Sequence, residues 1–148
     1  GALQSCRDFL DGISILPEAA VAAAVEGTSA MHDVTEGGIA TALEELSAAG
    51  GFALKVNVDR IPIFPETRTL SRLLRFDPLG LIGSGSLVGC CRPRTSDRRT
   101  AQLRRKGIRV TIIGEVAERG SGVQAFKNGR PTRWRSFEVD EIARLFSG

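Results

Sequence analysis

The run Met31-His32-Asp33-Val34-Thr35-Glu36-Gly37-Gly38-Ile39 sets an acid, a hydroxyl and two glycines directly ahead of a helical apolar pattern. That pattern continues through Ile39, Leu43 and Leu46 at i, i+4 and i+7. The first amides of a helix have no intrahelical partner and carry partial positive charge, so such an entrance suits an anionic group. Glycines lack a Cβ and let a ligand approach the backbone. Thr35 or Asp33 is the expected cap, and Gly50-Gly51 the expected stop. The same spacing also fits a turn with a purely structural role.

With 148 residues, 42% of them hydrophobic, the chain suits one domain with a genuine core. It contains no apolar run long enough to span a bilayer, and its start lacks the basic-then-apolar order of a secretory leader. Beginning at Gly1 with Met31 as its only methionine, it reads as a piece of a longer protein, with Gly1 a tag remnant. The net charge of +3 permits polyanion binding. The arginines are scattered, however, and no aromatic residues interleave with them as stacking platforms, which argues against nucleic acid. Three cysteines argue against a disulfide scaffold. Cys90 and Cys91 are adjacent in an expected strand and should face opposite sides, as reduced thiols in a cytoplasmic setting.

Residues 1–13 read as a linker, the remnant of a connection to a preceding domain, and residues 14–148 as the domain itself. Pro17 suits a first helical position, and an Ala-rich helix should run to Gly27. A short strand should deliver Ala30 to His32. Leu54, Val56 and Val58 alternate as a half-buried strand, and a helix from Glu66 to Arg75 should turn Leu70, Leu73 and Leu74 inward. Asp77 to Ser86 is a second Gly-rich segment, followed by a strand from Leu87 to Cys91. Ser96 and Asp97 should open a helix ending at Gly107. Ile108, Val110 and Ile112 alternate as a strand, and Gly114 suggests a bulge or bend. Val123–Lys127, Asn128-Gly129 and the segment to Trp134 read as a hairpin, and Asp140 starts a last helix. Interleaved strands and helices indicate an α+β fold, a sheet covered by helices.

Three segments together carry a family resemblance. His32-Asp33-x-Thr35-x-Gly37-Gly38, preceded by Ser14-Ile15-Leu16-Pro17-Glu18-Ala19, resembles the opening of the second domain of the aminoimidazole ribonucleotide (AIR) synthetase, or PurM-like, superfamily. Asp77-Pro78-Leu79-Gly80-Leu81 with Gly83-Ser84-Gly85-Ser86-Leu87-Val88 resembles that domain's second Gly-rich segment, and Ile112-Ile113-Gly114-Glu115-Val116 its late strand. Within that superfamily the chain resembles the HypE-like, hydrogenase-maturation branch. The resemblance implies a mixed β-sheet flanked by helices, partly ferredoxin-like, acting as the C-terminal domain of an AIR synthase-related enzyme. It also implies ATP and Mg²⁺ as cofactors of the full-length protein, with none held tightly by this piece. The implied partners are its own N-terminal domain, a second copy in a homodimer, and a small-molecule substrate or a maturation partner protein; no membrane is implied.

The implied phosphate- or substrate-binding residues are Thr35, Gly37, Gly38, Ser84, Gly85 and Ser86. His32 and Asp33 are catalytic candidates. His32 also suits a hydrogen-bonded structural role, and Asp33 suits either a cap or water-mediated Mg²⁺ binding. A lone histidine excludes a multi-histidine metal site, and no residue is assigned as a certain metal ligand. Two departures from the HypE-like pattern stand out. Glu36 occupies a place where an arginine is usual, and the chain ends Leu145-Phe146-Ser147-Gly148 without the terminal cysteine that carries the HypE reaction. Both make room for a second reading, a non-catalytic binding or dimerisation module on the same scaffold.

Overall fold

The computed structural model describes residue 7 and residues 9–147. Cys6, with residues 1–6 and 8 of the expected linker, lies outside the described residues. The first helix, α1 (Leu16–Ala24), has a proline in its opening positions, where the missing N–H is no loss. Its C-terminal carbonyls are closed by a buried cation. Arg99 is only 5% exposed, and its Nη2 donates to the carbonyls of Ala22 at 2.8 Å and Val25 at 3.3 Å. A guanidinium at a helix C-terminus interacts favourably with the dipole there, and this contact docks α4 (Pro93–Arg105) on α1.

Strand β1 (Thr28–Asp33) pairs antiparallel with β3 (Leu87–Cys91) as a separate two-stranded ribbon, placing Asp33 opposite Leu87. Helix α2 (Gly38–Gly50) buries Ala42, Leu43 and Leu46 and stops where Gly51 turns left-handed at φ 67. Behind it lies β2 (Phe52–Asn57), the centre of a mixed four-stranded sheet in the order β4-β2-β5-β6. Here β4 is Gly114–Arg119, β5 is Val123–Lys127 and β6 is Arg130–Thr132. β2 runs antiparallel to β4 and parallel to β5, and β5 with β6 closes the expected hairpin through Asn128 and Gly129, both at positive φ. Ser47 ties α2 to this sheet, accepting from the Gly122 amide and donating to the Phe52 carbonyl, each at 2.7 Å. Val34, Leu43, Leu46, Leu54, Val56, Ile61 and Val88 form the core. The α+β class and the mixed sheet stand as expected, with β1 and β3 split off from it.

Several local expectations fail, beginning with Val58, which leaves β2 for a short 3-10 turn. Neither Asp33 nor Thr35 caps α2, because Asp33 is still paired in β1 and the N-cap is Gly37, left-handed at φ 74 with no side-chain cap bond. Leu70, Leu73 and Leu74 do not turn inward. Helix α3 (Pro65–Leu74) buries none of its residues, and Leu73 is 74% exposed. Ile108 to Ile112 is irregular, since β2 gives its edge to Gly114–Arg119 and turns away after Asn57. Gly114 instead opens β4, where a Cβ would collide with the Lys55 carbonyl oxygen. Finally, α4 starts at Pro93 rather than at Ser96, whose hydroxyl bonds back to the Pro93 carbonyl.

The last helix, α5 (Glu141–Phe146), is capped as expected by Asp140, whose Oδ1 accepts from the Ile142 amide at 2.8 Å. Glu141 is 4% exposed and holds Arg144 through two bonds of 3.0 and 2.7 Å. Its carboxyl lies below the ordinary value of 4.5, chiefly because Arg144 hydrogen-bonds it, with the Asp77 amide adding to the effect against the opposing influence of burial. A carboxylate with a lowered folded value contributes stability above its unfolded value, and loses it as pH falls through the folded one. Glu141→Gln should therefore destabilise near neutral pH and flatten the loss of stability below about pH 4.3, as read from urea unfolding at pH 7 and in the acid range. Gly38→Ala should lower unfolding free energy by roughly 2 kcal/mol or more in the same assay. Gly38 sits at φ +64, and a Cβ there would lie 2.5 Å from the carbonyl oxygens of both Leu79 and Leu81.

Candidate functional site

The two Gly-rich segments lie side by side. The Val34 amide donates to the Ser86 carbonyl at 3.0 Å, one residue beyond the β1–β3 pairing of Asp33 with Leu87. Gly83 faces Val34 so closely that a Cβ would lie 2.6 Å from its Cγ1. Thr35, Glu36, Ser84 and Ser86 are exposed around this joint, as is Asp33. Six candidate binding residues scattered over two segments thus come to one region, although they differ in what they can still do.

Gly37 and Gly38 are buried. The Gly37 amide is taken by the chain itself, donating to Oδ2 of Asp140 at 2.8 Å across a separation of 103 residues. The Gly38 amide donates to the Thr35 carbonyl at 3.0 Å, and its Cα packs on the Pro78–Gly80 turn that opens the second segment. The pair of glycines is therefore explained by close packing and by a resident carboxylate. Asp140 is 8% exposed, and a buried carboxylate at a helix start accepts strong amide bonds and offsets the dipole.

His32 is tied elsewhere. Its Nδ1 lies 2.6 Å from the Asp33 carbonyl oxygen, and its Nε2 lies 3.0 Å from Oε2 of Glu45, two turns into α2. Both ring nitrogens thus face acceptors of β1 and α2, an arrangement that holds strand to helix. Asp33 keeps an exposed carboxylate beside this ring. Among the described residues no group of three His, Cys, Asp or Glu side chains is arranged to hold a metal ion. Cys90 and Cys91 are free thiols, and burial, then the neighbouring Cys91, pushes Cys90 up from its ordinary value. Among the described residues no helix is long and apolar enough to cross a membrane.

The C-terminal segment supplies what sequence reasoning missed. Besides Asp140 at Gly37, Glu141 Oε2 accepts from the Asp77 amide at 2.9 Å, and Arg144 donates to the Arg75 carbonyl at 3.0 Å. Arg135 pairs with Asp77 at 3.2 Å, and Trp134 and Ser136 both donate to Oε1 of Glu44 at 3.1 and 2.6 Å. Asp140 was legible as a helix cap, but nothing local in the sequence tells that its second oxygen serves another helix. Two surface hollows, of about 580 and 450 Å³, are lined by Arg75, Asp77, Arg135 and Glu141, and by Lys55, Arg60, Glu115 and Phe126 respectively. None of the candidate binding residues lines either of them. Thr35, Ser84 and Ser86 are exposed, Gly85 is half-buried, and Gly37 and Gly38 are buried.

Residues 14–126 match the family described as AIR synthase related protein, C-terminal domain. The carbamoyl dehydratase HypE of Cupriavidus necator is 35% identical over 100 residues, covering 66% of this chain and 28% of the relative. The crystal structure of Escherichia coli HypE, a hydrogenase maturation protein, superposes with a TM-score of 0.77 at 25% identity, over 88% of this chain and 42% of that one. A HypE structure in complex with ATP shares the fold, with a TM-score of 0.71 at 23% identity over 79% of this chain and 38% of that one. The chain thus spans well under half the length of the proteins it matches. The chain belongs to the AIR synthase related family, as a HypE-like C-terminal domain of the PurM superfamily.

Proposed function

We propose that this chain is the C-terminal domain of an ATP-dependent, HypE-like enzyme, and that Asp33, Thr35, Ser84, Gly85 and Ser86 form one wall of a phosphate- or substrate-holding cleft. The observation that carries this reading is the bond from the Val34 amide to the Ser86 carbonyl, which brings both Gly-rich segments to one exposed face. The openness of that face supports a site completed by a second body, and the greater length of the relatives supports a preceding domain as that body. The residues 1–13 and 14–148 would then be the connection and the domain. A cytoplasmic homodimer fits this reading.

Phosphoryl chemistry relies mainly on positioning and on neutralising charge. This wall is suited to the first task. Thr35, Ser84 and Ser86 present hydroxyls, and Gly85, at φ +88, packs against the Gly12 carbonyl, where a Cβ would lie 2.5 Å from the oxygen. It is ill suited to the second, because Asp33 and Glu36 are acidic and Gly37 has given its amide to Asp140. Among the described residues no group of three His, Cys, Asp or Glu side chains is placed to hold Mg²⁺. Gly37 and Gly38 contribute by shaping the wall.

A second reading, a binding or dimerisation module, is favoured by one observation. Leu70, Leu73 and Leu74 form an exposed apolar face on α3. The two readings separate on activity. The isolated chain should show no Mg²⁺-dependent ATP hydrolysis above a blank. In the longer natural protein, Ser84→Ala combined with Ser86→Ala should lower kcat/KM for ATP by roughly tenfold or more, the scale of one or two lost hydrogen bonds to a charged group. Turnover by the isolated chain, or an unchanged kcat/KM in the double variant, would overturn the cleft-wall reading.

A further inference from the structure

We infer that Asp140 and Glu141 are positioning residues: one consecutive acidic pair that fixes the α2 entrance and the second Gly-rich segment at a set distance from each other. Both residues lie outside the stretch matched by the family, which ends at residue 126. The inference rests on the cleft-wall reading for the use made of the two segments, though not for the clasp itself.

The geometry is direct. Asp140 holds the Gly37 amide at 2.8 Å, and Glu141 holds the Asp77 amide at 2.9 Å. Consecutive Cα atoms are about 3.8 Å apart, so two backbone points forty residues distant in sequence are pinned to neighbouring residues of a third segment. Both carboxylates are largely buried, at 8% and 4% exposure, and both are satisfied on each oxygen. Asp140 also caps α5 through Ile142, while Glu141 takes two bonds from Arg144. Arg144 in turn grips the Arg75 carbonyl, just ahead of Asp77. The Phe137 ring covers Gly80 so closely that no Cβ would fit there.

The pinned points lead to the wall by short paths. Gly37 is two residues from Thr35, and Gly38 lies against the carbonyls of Leu79 and Leu81. Leu81 leads to Gly83, which packs on Val34, and to Ser86, which accepts from the Val34 amide. Displacing the Asp140 carboxylate from Gly37 therefore moves Thr35 and Ser84–Ser86 together. The α2 entrance acts as a fixed hinge point with its own resident anion.

The test is an assigned amide spectrum of the 148-residue chain with hydrogen-exchange rates, for wild type, Asp140→Ser and Asp140→Ala. Serine is a good N-cap, so Asp140→Ser keeps the start of α5 while removing the carboxylate that reaches Gly37. In both variants the Gly37 amide should exchange roughly tenfold faster or more, the equivalent of one lost bond to a charged acceptor. The resonances of Thr35 and Ser84–Ser86 should move with it. In Glu141→Gln the corresponding change should centre on Asp77 and Leu79. Unchanged protection of Gly37 overturns the inference. So does a change confined to Gly37 with Ser84–Ser86 unmoved, which would mark a local cap only. Global unfolding of Asp140→Ser, seen by circular dichroism, overturns it as well, because the clasp is inferred to set spacing while α5 stays capped. ATP turnover enters none of these readouts, so the cleft-wall reading can fail while this result stands.

Discussion

One carboxylate starts two helices. The two oxygens of Asp140 accept from the first amides of α2 and of α5, each at 2.8 Å. A buried carboxylate is strongly disfavoured unless its charge is met by donors, and helix starts supply both unpaired N–H groups and partial positive charge. The arrangement is therefore mutual. Each helix start stabilises the charge, and the charge fixes where each helix begins. Helix α2 carries Leu43 and Leu46 into the core and is tied by Ser47 to the sheet. The direction in which α2 leaves Gly37 thus sets the depth at which its apolar stripe meets β2.

The same bond changes what the first Gly-rich segment can do. An empty helix start can receive a phosphate, whereas one filled by its own carboxylate is a structural joint. The surface left over is a strip of hydroxyls and backbone around Thr35 and Ser84–Ser86, held by the Val34–Ser86 bond. Hydroxyls orient a ligand without supplying charge. On the cleft-wall proposal, such a strip would orient a ligand and a cationic counterpart would neutralise it.

Features legible in the sequence were those encoded within a few residues. Asn128-Gly129 adopts the two positive φ angles that a two-residue hairpin needs, and Gly51 ends α2 in the left-handed region. The stripe Ile39, Leu43, Leu46 pointed to a helix face that does reach the core. What failed depended on distant partners. Alternation over Ile108–Ile112 describes a strand only if an edge is open, and β2 had already given that edge to β4. The leucines of α3 have the spacing of a buried face, yet no described element covers them. Periodicity reports that a face is apolar and does not report what it packs against. The bond from Asp140 to Gly37 spans 103 residues, beyond any local pattern.

Glu36 follows from this joint. In the HypE-like pattern an arginine is usual at this place. Here the residue preceding Gly37 is an exposed glutamate, and the α2 dipole is already answered by Asp140. Glu36 is exposed and adds negative charge to the segment that carries Asp33. Replacing a cation by an anion changes the local charge by two units, which no hydroxyl on the strip offsets. With acids exposed at Asp33 and Glu36 and a resident carboxylate on Gly37, the stretch from Asp33 to Gly38 holds no cation.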